Sequence, residues 1–156
     1  MNVFFLVEPE GGGVPTLVTP SLEDGTILPG VTRQSVLELA RSREWQLGGT
    51  DSAPRALCVE ERPIALWELR ELASSGRLLE CFGTGTAVVC QPVEVVAFRR
   101  DPAVDGAQAA VDRYECRHRY DGSSLAEQML VTIQGIQYGR EVDHPWSVPV
   151  CPLASE

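Results

Sequence analysis

Residues 3–19, VFFLVEPEGGGVPTLVT, contain two short apolar runs separated by a loop with three consecutive glycines. Residues 3–7 and 16–19 are rich in β-branched and aromatic side chains, which are typical of strands. Glycine adopts positive φ angles without steric cost, so residues 10–13 can reverse the direction of the chain. The stretch therefore predicts a β-hairpin whose second strand ends at Pro20.

Beyond the hairpin, helical and strand-like patterns alternate along the chain. Residues 24–33 are rich in turn formers and lead into a helix whose predicted N-cap is Thr32. Further strands are predicted over residues 56–59, 78–82, 87–90 and 93–98, and further helices over residues 64–74 and 125–136. Residues 100–122 are polar and aperiodic, which predicts a surface excursion. Because the elements interleave without the strict rhythm of a doubly wound sheet, we predict one mixed α/β (α+β) domain over residues 1–156.

The charge composition excludes several classes of partner. The net charge of −9 argues against binding to nucleic acid or to anionic membranes, which both require basic patches. No apolar run approaches the roughly 20 residues that a membrane span needs. All 13 basic residues are arginines, and the sequence contains no lysine.

The cysteines and histidines do not have the spacing of a metal site. The five cysteines form no Cys-x-x-Cys pair, and His118 and His144 are isolated. We therefore predict no bound metal, and expect free thiols in a reducing, intracellular compartment. The pattern does not distinguish cytoplasm, mitochondrion and plastid.

Two segments combine glycine and threonine in a way that suits anion binding. Residues 28–33, LPGVTR, precede a predicted helix, where free backbone N–H groups and the helix dipole can bind a phosphate dianion. In residues 83–87, GTGTA, small side chains let backbone amides approach a ligand, and a threonine hydroxyl can add a hydrogen bond. Taken singly, each segment is more often an ordinary turn or a β-bulge.

Five segments, in this order, resemble motifs of one enzyme family. They are residues 17–33, containing LVTP and GTILPGVTR; 59–64, VEERPI; 76–87, GRLLECFGTGTA; 136–139, IQYG; and 144–147, HPWS. Residues 1–4, MNVF, also resemble a segment that lies mid-chain in that family. The family is the branched-chain amino-acid aminotransferases, class-IV enzymes of fold type IV that depend on pyridoxal 5'-phosphate (PLP). Only residues 100–122 fall outside the resemblance.

The resemblance implies a fold, an activity and a set of site residues. The chain would be the C-terminal, PLP- and substrate-binding domain of an enzyme with the D-amino-acid aminotransferase-like fold. That enzyme moves an amino group between leucine, isoleucine or valine and 2-oxoglutarate, exchanging amino acids for 2-oxo acids, and is a homodimer. In this sequence the implied phosphate ligands are the amides of Val31 and Thr32 and the hydroxyl of Thr86; Leu28 and Gly30 flank the pyridine ring; and the amides of Thr86 and Ala87 hold the substrate carboxylate.

The absence of lysine departs from the family pattern. Transamination needs a lysine amine that binds the cofactor covalently and moves a proton. In the family this lysine lies upstream of the segment that residues 1–4 resemble, in a domain that this chain lacks. We therefore predict that no residue here is catalytic, that the chain alone is inactive, and that it binds PLP weakly or not at all. The resemblance also leads us to expect a glutamate near the pyridine nitrogen at position 16, which is Thr16; Glu10 is a remote substitute.

Three interpretations remain open at this point. The chain is a fragment of an active aminotransferase whose other part supplies the chemistry, or it is a non-catalytic remnant that binds a partner or a phosphorylated ligand. Thr16 and the unusual residues 100–122 favour the remnant. The third interpretation is another fold-type-IV enzyme, such as a D-amino-acid aminotransferase or an aminodeoxychorismate lyase. The motifs at residues 136–139 and 144–147 argue against it.

Overall fold

The computed structural model describes residues 1–47, 53–99, 111–116 and 122–148. Within these ranges the strands are β1 (Asn2–Val7), β2 (Thr16–Thr19), β3 (Cys58–Glu61), β4 (Leu78–Gly85), β5 (Val89–Pro92), β6 (Val95–Arg99) and β7 (Val111–Glu115). The helices are α1 (Val31–Ser42), α2 (Leu66–Ser74) and α3 (Leu125–Gln137). No helix in these ranges has the length and apolar character that a bilayer span requires.

The hairpin predicted at the start of the chain forms the centre of a five-stranded sheet. Strand β1 pairs antiparallel with β2, and Phe5 lies opposite Val18. Strand order is β3-β2-β1-β4-β5, with β3 parallel to β2 and the other pairs antiparallel. The mixed sheet with helices confirms the predicted mixed α/β fold class.

Both faces of this sheet are covered, because alternate residues of β1 point in opposite directions. Phe4 and Leu6 belong to a core cluster with residues of α1 and α3, and Phe4 stacks on Phe82 of β4 with ring centroids 5.2 Å apart. Phe5 and Val7 belong to a second cluster with residues of α2, β6 and the end of β7. The sheet is thus held rigidly between two apolar layers.

Several boundaries differ from the sequence prediction. The strands predicted over residues 56–59, 87–90 and 93–98 are Cys58–Glu61, Val89–Pro92 and Val95–Arg99, so Ala87 lies in a turn, and α2 begins at Leu66 rather than at residue 64. Helix α1 starts at Val31 and its N-cap is Gly30, in extended backbone with φ −68° and ψ 137°, so the prediction of Thr32 as N-cap is wrong. Strand β4 does not end at Phe82 but continues to Gly85. Gly83 has low strand propensity, yet it pairs with Val3 on one side and Gln91 on the other, and this pairing determines its conformation.

Residues 111–115, within the surface excursion predicted over residues 100–122, form a strand that the sequence analysis did not predict. These residues form β7, which pairs antiparallel with β6, and Tyr114 packs edge-on against Phe98. Residues 111–115, VDRYE, lack the apolar alternation of period two that signals a strand, so pairing with β6 determines their conformation. The remainder of that segment lies outside the described residues, apart from Cys116 and Gly122.

Glu80 of β4 connects the sheet to the start of helix α3 through hydrogen bonds. Its carboxylate is buried and accepts hydrogen bonds from the backbone N–H groups of Leu125 and Ala126, at 3.0 and 3.3 Å, at the helix start. Desolvation by burial raises the pKa of Glu80, although the two backbone hydrogen bonds act in the opposite direction. Glu80 therefore keeps its proton to higher pH in the folded chain than in the unfolded chain.

This sign makes a pH-dependent prediction for Glu80→Gln. With a raised folded-state pKa, the contribution of Glu80 is present below the ordinary pKa of 4.5 and is lost as the pH rises through the folded-state value. The free energy of unfolding of Glu80→Gln should therefore improve relative to wild type as the pH rises above about 4.5. Urea unfolding between pH 4.5 and about pH 8 measures this difference, and the exposed Glu23→Gln controls for the change in net charge. A difference that declines with pH would contradict the assignment.

Candidate functional site

The two glycine–threonine segments leave the sheet from the same end. Strand β1 begins there, with Asn2 opposite Thr84 of β4, and the Thr19 hydroxyl at the end of β2 donates a 2.7 Å hydrogen bond to the Val3 carbonyl. Since β2 and β4 both run antiparallel to β1, the connection after β2 and the turn after β4 both start beside Asn2. The topology thus places the start of α1 and the turn at residues 86–88 at the same end of the strands, which we call the site edge of the sheet.

The start of α1 is a set of neutral hydrogen-bond donors. The first intrahelical bond runs from the Gln34 amide to the Gly30 carbonyl, so the amides of Val31, Thr32 and Arg33 have no intrahelical acceptor. The first turn contains no acidic residue and no side chain caps it. Val31 is 84% exposed. This helix end can therefore accept an anion, which the helix dipole also favours.

Apolar surface lies beside these donors. Leu28 is 77% exposed, and the segment that follows it lines a groove of about 460 Å³ along the first turns of α1. The groove is lined by Leu22, Pro29, Gly30, Val31, Arg33, Gln34, Ser35, Glu38 and Trp146. Trp146 comes from the HPWS motif, so the groove explains why a motif far along the chain accompanies LPGVTR.

The turn after β4 presents the second group of donors. Gly85 and Val89 form the last pair of the β4–β5 ladder, and Thr86 and Ala87 lie exposed in the turn between them. Val89 closes this turn with a positive φ of 57°, a conformation that is strained for a β-branched residue. The hydroxyl of Thr86 and the turn amides are open to a ligand.

Arg33 holds the connection between β2 and α1 in place. Its side chain is only 1% exposed, and Nη2 donates at 2.9 Å both to the Pro20 carbonyl and to Oε2 of Glu61. Arg41 donates to the other oxygen of Glu61 at 2.8 Å. Hydrogen bonds from Arg41 and then Arg33 lower the pKa of Glu61 despite some desolvation. Arg33 is a structural residue of the site that the sequence patterns did not identify, although it belongs to the LPGVTR segment.

The structure separates Thr16 and Glu10 from this edge. Thr16 pairs with Val7, at the opposite end of β1 from Asn2, and Glu10 lies in the loop beyond that end. A strand of six residues spans roughly 20 Å. A carboxylate at either position would not reach the start of α1, so the threonine at position 16 carries no weight against a ligand there.

The buried thiols of the described residues are not suited to nucleophilic chemistry. Cys81, Cys90 and Cys116 are buried, whereas Cys58 is exposed. Burial raises the pKa of Cys81 and of Cys90 to about 12, so neither forms a thiolate at neutral pH. Across the described ranges, no three His, Cys, Asp or Glu side chains converge as a metal site would require. Cys151 and His118 lie outside those ranges.

This chain is similar to branched-chain-amino-acid aminotransferases over 90% or more of its length. The mitochondrial branched-chain-amino-acid aminotransferase of Schizosaccharomyces pombe is 34% identical over 140 residues, 90% of this chain and 29% of its own length. The cytosolic enzyme of Saccharomyces cerevisiae is 34% identical over 98% of this chain and 36% of its own length, and the cytosolic enzyme of Caenorhabditis elegans is 36% identical over 94% and 31%. No model of a protein family matches. The chain spans about a third of the length of these relatives.

Two arginines that share Glu61 differ in burial, and this difference predicts unequal effects of Arg33→Met and Arg41→Met. Losing Arg33 leaves the Pro20 carbonyl without its donor and removes a buried charge pair, and should cost about 2–4 kcal/mol. Arg41 is 47% exposed, so its loss should cost no more than about 1 kcal/mol. Urea denaturation measures both. Equal costs would show that Arg33 does not brace the connection.

Proposed function

We propose that this chain, a homologue of the branched-chain-amino-acid aminotransferases over 90% or more of its length, forms the part of such an enzyme that binds the PLP phosphate and the substrate carboxylate. The observation that carries the proposal is the uncapped start of α1 at the same sheet edge as the Thr86 turn. In the whole enzyme, the substrates are leucine, isoleucine or valine with 2-oxoglutarate, and two subunits form a homodimer.

The residues present at this edge fit PLP. A phosphate dianion needs several donors, and the amides of Val31 and Thr32 are supported by the dipole of a helix of 12 residues without an acidic first turn. The Thr86 hydroxyl adds a donor from the neighbouring turn. Leu28 and Gly30 offer the apolar edge and the close backbone that the pyridine ring requires. None of these groups depends on a lysine.

The chain's own residues bind and orient rather than react. When bound, PLP supplies the electron sink that allows bonds at the substrate Cα to break. The amides of Thr86 and Ala87 hold the substrate carboxylate, which fixes the Cα relative to the ring. Because these donors lie in a short turn closed by the Gly85–Val89 pair of the β4–β5 ladder, their directions are set before the ligand binds.

The covalent and proton-transfer steps need a lysine that residues 1–156 do not contain. The relatives are about three times as long as the stretch that matches, so their length accommodates a second, lysine-bearing part. We assign the amine to that part and the anion-binding donors to this chain. The relatives include both mitochondrial and cytosolic forms, and either compartment is compatible with the proposal.

A second candidate function is that of a non-catalytic module binding a phosphorylated ligand. The complete absence of lysine favours it. It uses the same donors, namely Val31, Thr32 and Thr86, and differs only in whether a lysine-bearing part acts with them. The position of Thr16 at the far end of the sheet removes one argument that favoured it.

The lack of lysine predicts that purified residues 1–156 have no leucine:2-oxoglutarate aminotransferase activity with added PLP. It also predicts that borohydride reduction in the presence of PLP leaves every side chain unlabelled, because only the N-terminal amine can react with the aldehyde. Peptide mass spectrometry after reduction is the measurement. A pyridoxyl group on any internal residue would refute the division of labour.

Thr86→Val tests the anion site directly. Affinity for PLP should be on the order of millimolar, about 4 kcal/mol, since covalent attachment is absent. Removing the hydroxyl at constant shape should weaken that binding about three- to tenfold, because a hydrogen bond to a charged group contributes about 1.5 kcal/mol or less when exposed. Equilibrium dialysis with PLP measures it. Thr16→Val is the matched control, being the same change at the far end of the sheet; equal losses in both variants would refute the site.

A further inference from the structure

We infer that Asn2 is a positioning residue that fixes the start of α1 relative to the Thr86 turn. The inference rests on the proposed anion site. It adds that Asn2 holds the two halves of that site, the start of α1 and the Thr86 turn, in a fixed relative position. Asn2 lies at the beginning of β1, between the two segments, and is only 7% exposed. It does not contact the anion itself.

The first contact of Asn2 is with the segment that leads into α1. Its side-chain Nδ2 donates a 2.9 Å hydrogen bond to the Leu28 carbonyl, 26 residues away in sequence. Arg33 and Thr19 hold the earlier part of the edge through the carbonyls of Pro20 and Val3. Asn2 therefore fixes the last residues before the helix, which lead directly into the proposed anion-binding amides of Val31 and Thr32.

The second contact explains why residue 30 is glycine. A Cβ atom on Gly30 would lie 2.5 Å from Oδ1 of Asn2, well inside van der Waals contact. The backbone of Gly30, with φ −68° and ψ 137°, is one that any residue adopts. The side chain of Asn2, rather than the backbone angle, thus requires a glycine at position 30. The residue before the helix packs directly against Asn2.

The third contact reaches the other half of the site. Asn2 lies directly opposite Thr84, on the same face of the sheet as the Phe4–Phe82 stack. Thr84 is fully buried, and its hydroxyl has no hydrogen-bond partner among the residues that the structure describes. Two residues further along is Thr86. The path from Leu28 through Asn2 and Thr84 to Thr86 therefore consists of one hydrogen bond and one strand pair, both short and rigid.

Binding a single anion through both halves requires their donors to lie within hydrogen-bond distance of it at the same time. Such bonds have donor–acceptor distances of about 2.7–3.2 Å and weaken steeply when the donor angle falls below about 120°. A substitution of Asn2 should shift the start of α1 relative to the Thr86 turn. It should therefore lower the affinity for phosphate by more than it lowers the free energy of unfolding. This split distinguishes a positioning role from a purely structural one.

A double-mutant cycle with Asn2→Ala and Gly30→Ala tests the inference. Asn2→Ala removes the bond to Leu28, and Gly30→Ala pushes against Asn2 from the other side, so each should weaken binding of inorganic phosphate by about fivefold or more. In the double variant the added methyl occupies space that Asn2 vacated. Its loss should therefore be no greater than that of Asn2→Ala alone, in place of the product of the two losses.

Phosphate titration followed by 15N–1H spectra reports on both halves at once. In wild type, the amide signals of Val31, Thr32 and Thr86 should move with one dissociation constant. In Asn2→Ala the unliganded signals of Val31 and Thr32 should already be displaced. Ser124→Ala, which removes the N-cap hydrogen bond of α3, is the control that lowers stability far from the edge and leaves phosphate binding unchanged.

The outcomes separate the two ideas. If wild type binds no phosphate, or binds it as Thr86→Val does, the proposed anion site fails and the role of Asn2 fails with it. If Thr86→Val weakens binding but Asn2→Ala does not, only the role of Asn2 is refuted. The role of Asn2 would also be refuted if the double variant lost phosphate affinity by the product of the two single losses. Should Asn2→Ala not fold, unchanged phosphate affinity in Gly30→Ala would overturn the inference, and weakened affinity there would support it.

Discussion

The buried guanidinium of Arg33 joins three segments that are distant in sequence. From the first turn of α1 it donates to the end of β2 at Pro20 and to the end of β3 at Glu61. A charge removed from water is costly unless it is paired and hydrogen-bonded, so this arrangement tolerates little displacement of any partner. The connection between β2 and α1 depends on this arrangement. Arg33 holds its start through the Pro20 carbonyl, and Asn2 holds its end through the Leu28 carbonyl.

An edge fixed in this way allows an anion to be bound by backbone groups. The amides at the start of α1 carry no titratable proton, and their direction is set by the helix rather than by a flexible side chain. The chain has 13 arginines, and several of them neutralise carboxylates within the fold, as Arg43 does with Glu141 and Arg62 with Glu68. In these pairs cationic side chains serve structure, while neutral donors are left open for a ligand.

The sequence could predict what depends on local pattern. The hairpin at residues 3–19 and helix α3 follow from glycine chemistry and apolar periodicity, and the helix start near residue 31 from its proline–glycine turn. What it could not predict depends on pairing across the sheet. Gly83 to Gly85 have no intrinsic reason to be strand, and Asn2 has no motif chemistry of its own. Their roles arise only when β1 and β4 lie side by side, in a register set by the Phe4–Phe82 stack and its neighbours.

The same geometry builds the proposed anion site from described residues of this chain. Its donors are the start of one helix and the end of one strand, and both are held by contacts among Asn2, Arg33 and the sheet. None of these contacts needs a residue beyond the described chain. A lysine, by contrast, acts as a single group at the end of a flexible side chain and can be contributed from another segment without changing the donors. Under the proposed function, backbone amides and the Thr86 hydroxyl bind the anions and an amine carries out the chemistry, so the two tasks can be assigned to different segments.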